Sequence, residues 1–472
     1  MGHLQIGASL LTSLLVGALT RGTQRIYFLL AFSVLAVYWF QPVIPLRSFD
    51  FWLSSLSLAL MILTWLLISQ SCAWRIHQNL YGLLLIIGLV TIIDLSRYIL
   101  PDSFLTATTP PQFTQYLVFA AVLAVAILSI TFLAPRFTLA LSLAIILLIT
   151  ILVILKSPAL SLQASIFFRT LADRPIENAS ALDLRWLGFS YIAFRLIHVL
   201  RDKQTGRLPE LSLPEFATYV VFFPSLSAGP IDRAERFAGD LKKDFVLTQH
   251  ETLLAGRRIV TGLFKKFVIA DALALIALND ALATQVRAAG WTWVILYAYT
   301  FQIYLDFSGY TDIAIGVARL VGIELPENFA APYAKPNLTQ FWNSWHITLT
   351  QWIRSYFFNP FNRWMRGYGN IPAWIMIFAG QLATMIMIGL WHGITINFLL
   401  WGAWHGLGLF LQNRWSDFAR TRLTTNNARL QKAMHLGGVL LTFHFVALGW
   451  VFFSLSQPTL SWQVFMKLFH LP

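Results

Sequence analysis

Long apolar runs, interrupted by short polar and basic stretches, recur along the whole chain. A helix needs roughly 18 to 20 apolar residues to span about 30 Å of hydrocarbon. Stretches approaching or exceeding that length lie near 4–20, 26–44, 51–69, 80–100, 113–134, 137–155, 186–200, 267–286, 291–318, 372–391, 394–412 and 434–454. The pattern predicts an all-α polytopic membrane protein with about eleven or twelve transmembrane helices. The first stretch lacks a preceding basic segment and an Ala-x-Ala cleavage site, so a retained span is expected there.

Two further apolar segments fit better as re-entrant or interfacial helices. Residues 214–230 carry Pro214, Pro224, Gly229 and Pro230 and lie between basic flanks. Backbone interrupted in this way is tolerated at membrane depth only when packed within protein. Residues 337–366 read as one amphipathic helix, with Phe341, Trp345, Leu349, Trp352 and Tyr356 on one face and Asn343, His346, Thr350 and Arg354 on the other. Such a helix lies at the interface or lines a cavity.

Composition agrees with lipid as the main solvent: 57% of the 472 residues are hydrophobic and 12% charged, and the mean hydropathy is +0.64. No room is left for a separate soluble catalytic domain, so any chemistry must sit among the helices. The net charge of +13 comes from basic residues that punctuate apolar runs, which argues for topology and contact with lipid headgroups rather than nucleic acid. Cys72 is the only cysteine, excluding intramolecular disulfides and thiolate metal clusters.

Basic residues between Arg201 and Lys266, and again between Arg414 and Lys432, mark two cytoplasmic clusters. Counting spans from the first places Arg21, Arg25, Arg75 and Arg136 on the same side and both termini outside. The 156–185 connection, with Arg169, Asp173, Arg174 and Glu177, is then the longest external one, an ordinary loop or a surface for a partner or acceptor. No repeat or linker divides the chain. It reads as a single membrane domain with N-terminal helices (1–185), a core (186–412), and a cytoplasmic loop and last helix (413–472).

Ionisable groups at membrane depth are functional suspects, because they are costly to keep there. His346, His392, His405, His444, Asp306 and Asp312 are flanked by apolar sequence. His392 lies in Gly389-Leu390-Trp391-His392-Gly393, where an imidazole could take a proton from a hydroxyl without a resting buried charge. Interhelical hydrogen bonding is the competing account. His346 follows Trp345 and His405 follows Trp404, so Trp-His pairs recur, although tryptophans also form interfacial belts. No His-x-x-x-His pair or adjacent acid suggests zinc, and no metal is expected.

At these residues the chain resembles the membrane-bound O-acyltransferase family, in particular its bacterial branch containing alginate O-acetyltransferase and the D-alanyl transferase of teichoic acids. The matching blocks are Phe222 to Ile231 with Arg233, Phe307 to Gly316, Asn328-Phe329 with Pro332-Tyr333, Phe341 to Phe358, and the two later Trp-His-Gly blocks, in family order over about residues 186–412. Two departures stand out. Trp352-Ile353-Arg354-Ser355-Tyr356 lacks the family's usual aspartate, and Pro360-Phe361-Asn362-Arg363 replaces its Pro-Leu-Gly-Gly.

The resemblance implies a ring of tilted helices around a thin core. His392 matches the family's near-essential histidine and His346 its second functional position; Asn343, Trp345, Trp391, Arg354, His405 and Arg233 become candidate substrate contacts. It further implies transfer of a small acyl group, acetyl foremost, to a hydroxyl of an extracytoplasmic polysaccharide or envelope polymer. The donor would be a cytoplasmic thioester, acetyl-CoA or an acyl carrier protein, with no resident cofactor. The expected setting is a bacterial inner membrane, beside a separate extracytoplasmic partner protein. Acyl transfer to a lipid or protein would use the same residues, and a transporter of a lipid-linked intermediate is the rival from another class.

Overall fold

The computed structural model describes residues 2–69, 76–99, 105–133, 138–369, 371–422 and 427–470. Cys72, Arg75 and Arg136 lie outside the described residues. The fold is all-α: helices follow one another throughout, and among the described residues the only β pairing is an isolated bridge between Phe329 and Trp345. Among the described residues, six helices are long and apolar enough to cross a membrane: Phe49–Ile68, His77–Ile99, Phe113–Ile130, Leu139–Lys156, Ala373–His392 and Ala428–Ser454. Of the other expected spans, 4–20, 26–44, 291–318 and 394–412 fall mainly in the continuous helices His3–Leu19, Gly22–Trp39, Ala289–Arg319 and Ile396–Arg422, whereas 186–200 is a shorter helix and 267–286 is broken.

The chain packs as two compact units, one formed by Met1–Ile259 and Ile313–Pro326, the other by Val260–Asp312 and Glu327–Pro472. In the first, the expected span at 186–200 is the helix Phe189–Gln204. At 16 residues it is about 24 Å long, short of the hydrocarbon thickness. Phe189 and Tyr191 through Leu200 are all buried, so protein rather than lipid surrounds it. The 214–230 segment is a nine-residue helix, Leu213–Val221, ending in a 3-10 turn. That helix is too short to cross and is buried over its whole length.

Buried guanidinium groups tie these short elements together through backbone carbonyls. Arg25, read from the sequence as a topology marker, is 1% exposed. It donates to the carbonyls of Val321, Asp240, Leu241 and Lys243. Arg195 does the same for Tyr219, Val220 and Ser225. Arginine suits this task because its planar group presents five donors at once. The 156–185 connection is more ordered than a loop: it forms the helix Pro158–Leu171 and two 3-10 turns, with Arg169 donating to Asp183 at 2.7 Å.

In the second unit the expected span at 267–286 is broken. A π-helical turn, Phe264–Ala270, leads into the short helix Asp271–Ala274; the chain then leaves helical geometry before Asp280–Gln285. This stretch lies antiparallel to Ala289–Arg319. Lys265 pairs with Asp312 at 2.7 Å, Lys266 with Asp306, and the N–H of Leu278 donates to the carbonyl of Ile295. The two backbones touch at Gly309, where a Cβ would come within 2.8 Å of the Gly262 carbonyl oxygen. Only glycine permits that approach.

Arg25→Ala should lower stability by about 3 kcal/mol or more, because three buried carbonyls and one partly buried carbonyl lose their donor. Thermal unfolding in detergent measures this, with Arg25→Lys recovering only part of the loss. A second expectation concerns acid. Burial pushes the Asp183 carboxyl up, but hydrogen bonds from Arg169 and Ser165 outweigh it and hold it below the usual range. The stabilisation is therefore present above the unfolded-state pKa and is lost as pH falls through the lower folded value. Melting curves from pH 6 downward should show a steeper loss for the wild type than for Asp183→Asn.

Candidate active site

The 337–366 segment is not the single helix its periodicity suggests. It breaks after Leu338–Trp342 and restarts at Ile347–Ile353, then passes through a π-helical turn, Arg354–Phe358, into Asn359–Arg366. At the break His346 takes a left-handed backbone conformation with φ of 44°, which costs a non-glycine residue about 1–3 kcal/mol. Tertiary contacts impose it. The extended residues 328–330 clamp the turn from the side: the Ala330 N–H donates to the Ser344 carbonyl and the Ile347 N–H to the Asn328 carbonyl, each at 3.0 Å.

The same clamp fixes the imidazole. The Thr348 backbone N–H, 3.2 Å from Asn328 Oδ1, can only donate, so that atom is the amide oxygen; the Thr348 hydroxyl donates to it as well, at 2.9 Å. His346 Nδ1 lies 3.1 Å from the same oxygen and must also be a donor. In the neutral ring the proton is thus on Nδ1, leaving a lone pair on Nε2. Nε2 is buried and meets no hydrogen-bond partner, and the Asn328 amide nitrogen is likewise unmet. One network therefore holds an unused acceptor and an unused donor, the pair needed to take a proton from a hydroxyl and to stabilise a carbonyl oxygen.

His392 ends the helix Ala373–His392, with Gly393 closing it. Its ring is partly exposed, whereas His346 is 3% exposed. Phe398, Trp401 and Phe453 surround it, with ring centroids 5.9, 5.7 and 4.7 Å away. Trp391 connects the two histidines, its ring 4.5 Å from His392 and 6.3 Å from His346. Trp345 is buried between Phe329, Phe341 and Trp450.

The other sequence candidates divide by their partners. His444 is satisfied on both nitrogens: Nδ1 donates to the Leu440 carbonyl and Nε2 accepts from Tyr297. Asp306 and Asp312 each hold a lysine. His405 is fully buried against Trp342, Trp401 and Phe445, and neither nitrogen has a hydrogen-bond partner. Its ring is packed so closely on Gly449 that a Cβ there would lie 2.8 Å from Nε2. Asn343 is exposed and accepts from Arg354 at 2.8 Å. The amide beside His346 is thus Asn328, not Asn343. Arg233 belongs to the other unit, where it is exposed and occupies the N-cap position of the helix Ala234–Lys242 without a side-chain capping hydrogen bond.

Asn328 escaped the sequence reading as a site residue because an asparagine 18 positions from a histidine carries no spacing signal. Asp94 was also passed over, although it stands alone in an apolar run; it is fully buried, with neither carboxyl oxygen hydrogen-bonded.

Two histidines flanking Trp391 in an all-α fold define the site, and comparison gives the chain a family. The model of MBOAT, the membrane-bound O-acyltransferase family, matches residues 138–457, and the chain belongs to that family. It is 33% identical over 290 residues to the probable alginate O-acetylase AlgI of Pseudomonas aeruginosa, covering 60% of this chain and 51% of that one. It is 30% identical over 276 residues to the teichoic acid D-alanyltransferase of Bacillus subtilis, covering 57% and 69%. A peptidoglycan O-acetyltransferase of Helicobacter pylori is 33% identical over 244 residues, covering 51% and 43%. The chain spans about half the length of the alginate O-acetylases it matches.

If the Asn328 oxygen fixes the His346 tautomer, Asn328→Leu should cut turnover on the order of tenfold or more while the protein stays folded. Thr348→Val, which removes one of the donors holding that oxygen, should cost less. Acylation rates beside melting temperatures for both variants test the ranking; a larger loss for Thr348→Val would contradict it.

Proposed function

We propose that the chain is an O-acyltransferase that moves a small acyl group, acetyl foremost, from a cytoplasmic thioester to a hydroxyl of an extracytoplasmic polysaccharide or envelope polymer. The observation that carries this is the pair of imidazoles on either side of Trp391, one partly exposed at a helix end and one buried with a bare Nε2. His392 is the general base: it takes the hydroxyl proton as the oxygen attacks the thioester carbonyl. The C–S bond then breaks, and the thiolate leaves with a proton returned to it. His346 and Asn328 orient the donor and meet the charge that develops on the carbonyl oxygen.

The names of the three relatives support acyl transfer, because each denotes an acetyl or D-alanyl transfer and the named acceptors are alginate, teichoic acid and peptidoglycan. The basic clusters, placed on the cytoplasmic side, would draw in an anionic donor such as acetyl-CoA or an acidic carrier protein. Exclusion of bulk water would protect the thioester from hydrolysis. In this topology both termini are extracytoplasmic in a bacterial inner membrane, and a separate extracytoplasmic protein completes transfer to the polymer. At Asp306 and Asp312 the transporter alternative loses support, because both pair with lysines rather than standing ready to couple an ion.

The test is ester-linked acyl content of envelope glycans in cells carrying His392→Gln or His346→Gln, with membrane insertion verified. His392→Gln should lower it on the order of 100-fold or more. Unchanged acylation would remove the proposed base.

A further inference from the structure

The N-terminal unit contains a cavity of about 1160 Å³ that the acyl-transfer reading does not use. It is larger than the roughly 300–1,000 Å³ of common small-molecule sites. It lies where the helices Phe49–Ile68 and Phe113–Leu133 begin and where His77–Ile99 and Thr138–Lys156 end, so it sits at one face of the membrane. Its walls are apolar, with Leu56, Leu60, Phe119, Leu147, Ile151 and Phe168 among them. Between Phe49 and Leu60 the wall runs about 16 Å along the helix axis, which is the reach of an acyl chain rather than of a compact solute.

The polar residues gather at the mouth. Arg47 precedes Phe49–Ile68, Arg97 lies in the last turn of His77–Ile99, and Arg174 follows Pro158–Leu171. Gln112 and Gln115 complete the rim, and none of the described lining residues is acidic. Arg47 and Arg174 are exposed, and Arg97 spends one nitrogen on the Pro110 carbonyl. The contrast with Arg169 is informative: it lies on the same connection but is taken up by Asp183.

We infer that this cavity binds an anionic phospholipid, its phosphate held by Arg47, Arg97 and Arg174 and an acyl chain lying along Leu56 and Leu60. A neutral hydrocarbon would leave the basic mouth without a ligand, and a small anion would leave the apolar walls unfilled. In the topology proposed above the mouth faces outward. The positive-inside tendency disfavours arginines there, so three converging on one opening call for a ligand. The inference does not depend on the acyltransferase reading, because the cavity and its charge stand whatever reaction His392 performs.

The experiment uses the purified full chain and native mass spectrometry, comparing retention of dioleoyl phosphatidylglycerol with dioleoyl phosphatidylcholine. Wild type should prefer the anionic lipid by about fivefold or more, and the triple variant Arg47→Gln, Arg97→Gln, Arg174→Gln should retain both alike. Should the triple variant fail to fold, Arg47→Gln alone must reduce the preference. Leu60→Trp, which narrows the chain path, should lower phosphatidylglycerol retention with the arginines intact. Equal retention of the two lipids by wild type overturns the inference. So does a preference that survives loss of the arginines, or thermal protection by glycerol 3-phosphate equal to that by phosphatidylglycerol.

Discussion

Hydrocarbon offers no hydrogen bonds, so every polar group the chain buries must be answered from within the protein. That constraint orders most of this structure. Arg25 and Arg195 exist to meet carbonyls where short helices end inside the N-terminal unit. Lys265 and Lys266 meet Asp312 and Asp306, and His444 meets Tyr297 and the Leu440 carbonyl. Against this background an unanswered polar atom carries information. His346 Nε2 and the Asn328 amide nitrogen are two such atoms on a single network, and a strained backbone is maintained to keep them there.

The sequence was most legible where one rule decides the outcome. Uninterrupted apolar runs such as 51–69 and 372–391 became the helices Phe49–Ile68 and Ala373–His392 almost to the residue, because length and hydropathy alone specify a span. Legibility failed where tertiary contacts override periodicity. Residues 337–366 have a helical pattern on both sides of His346, yet the helix breaks there because the backbone of residues 328–330 competes for the Ser344 carbonyl and the Ile347 N–H. The 186–200 segment shows what hydropathy alone does not separate: burial inside protein leaves the same apolar signature as immersion in lipid.

The candidate site follows the same division. His346 and His392 could be picked out because an imidazole in apolar sequence is conspicuous, and the recurring Trp-His pairs pointed to Trp391, which touches both rings. Their state could not be read. The location of the His346 proton depends on which amide atom faces it, and that depends on a backbone N–H at Thr348. Asn343 is nearer in sequence and of the correct chemistry, but it turns to Arg354. Sequence proximity to a histidine is therefore a poor guide to which amide controls it.

The division of labour proposed for the two histidines rests on their exposure. A base that must meet a bulky polymer hydroxyl needs an accessible ring, and His392, partly exposed at a helix end, meets that requirement better than His346. A group that polarises a thioester carbonyl gains from the opposite environment, because fixed dipoles act more strongly where water is excluded and need no reorganisation as charge develops. His346 and Asn328 are buried and already held in place by three hydrogen bonds to one oxygen. Exchanging these roles would put the buried ring out of reach of a polymer and leave the carbonyl to a site open to water. The proposed mechanism therefore gives proton transfer to His392 and carbonyl activation to the His346–Asn328 network.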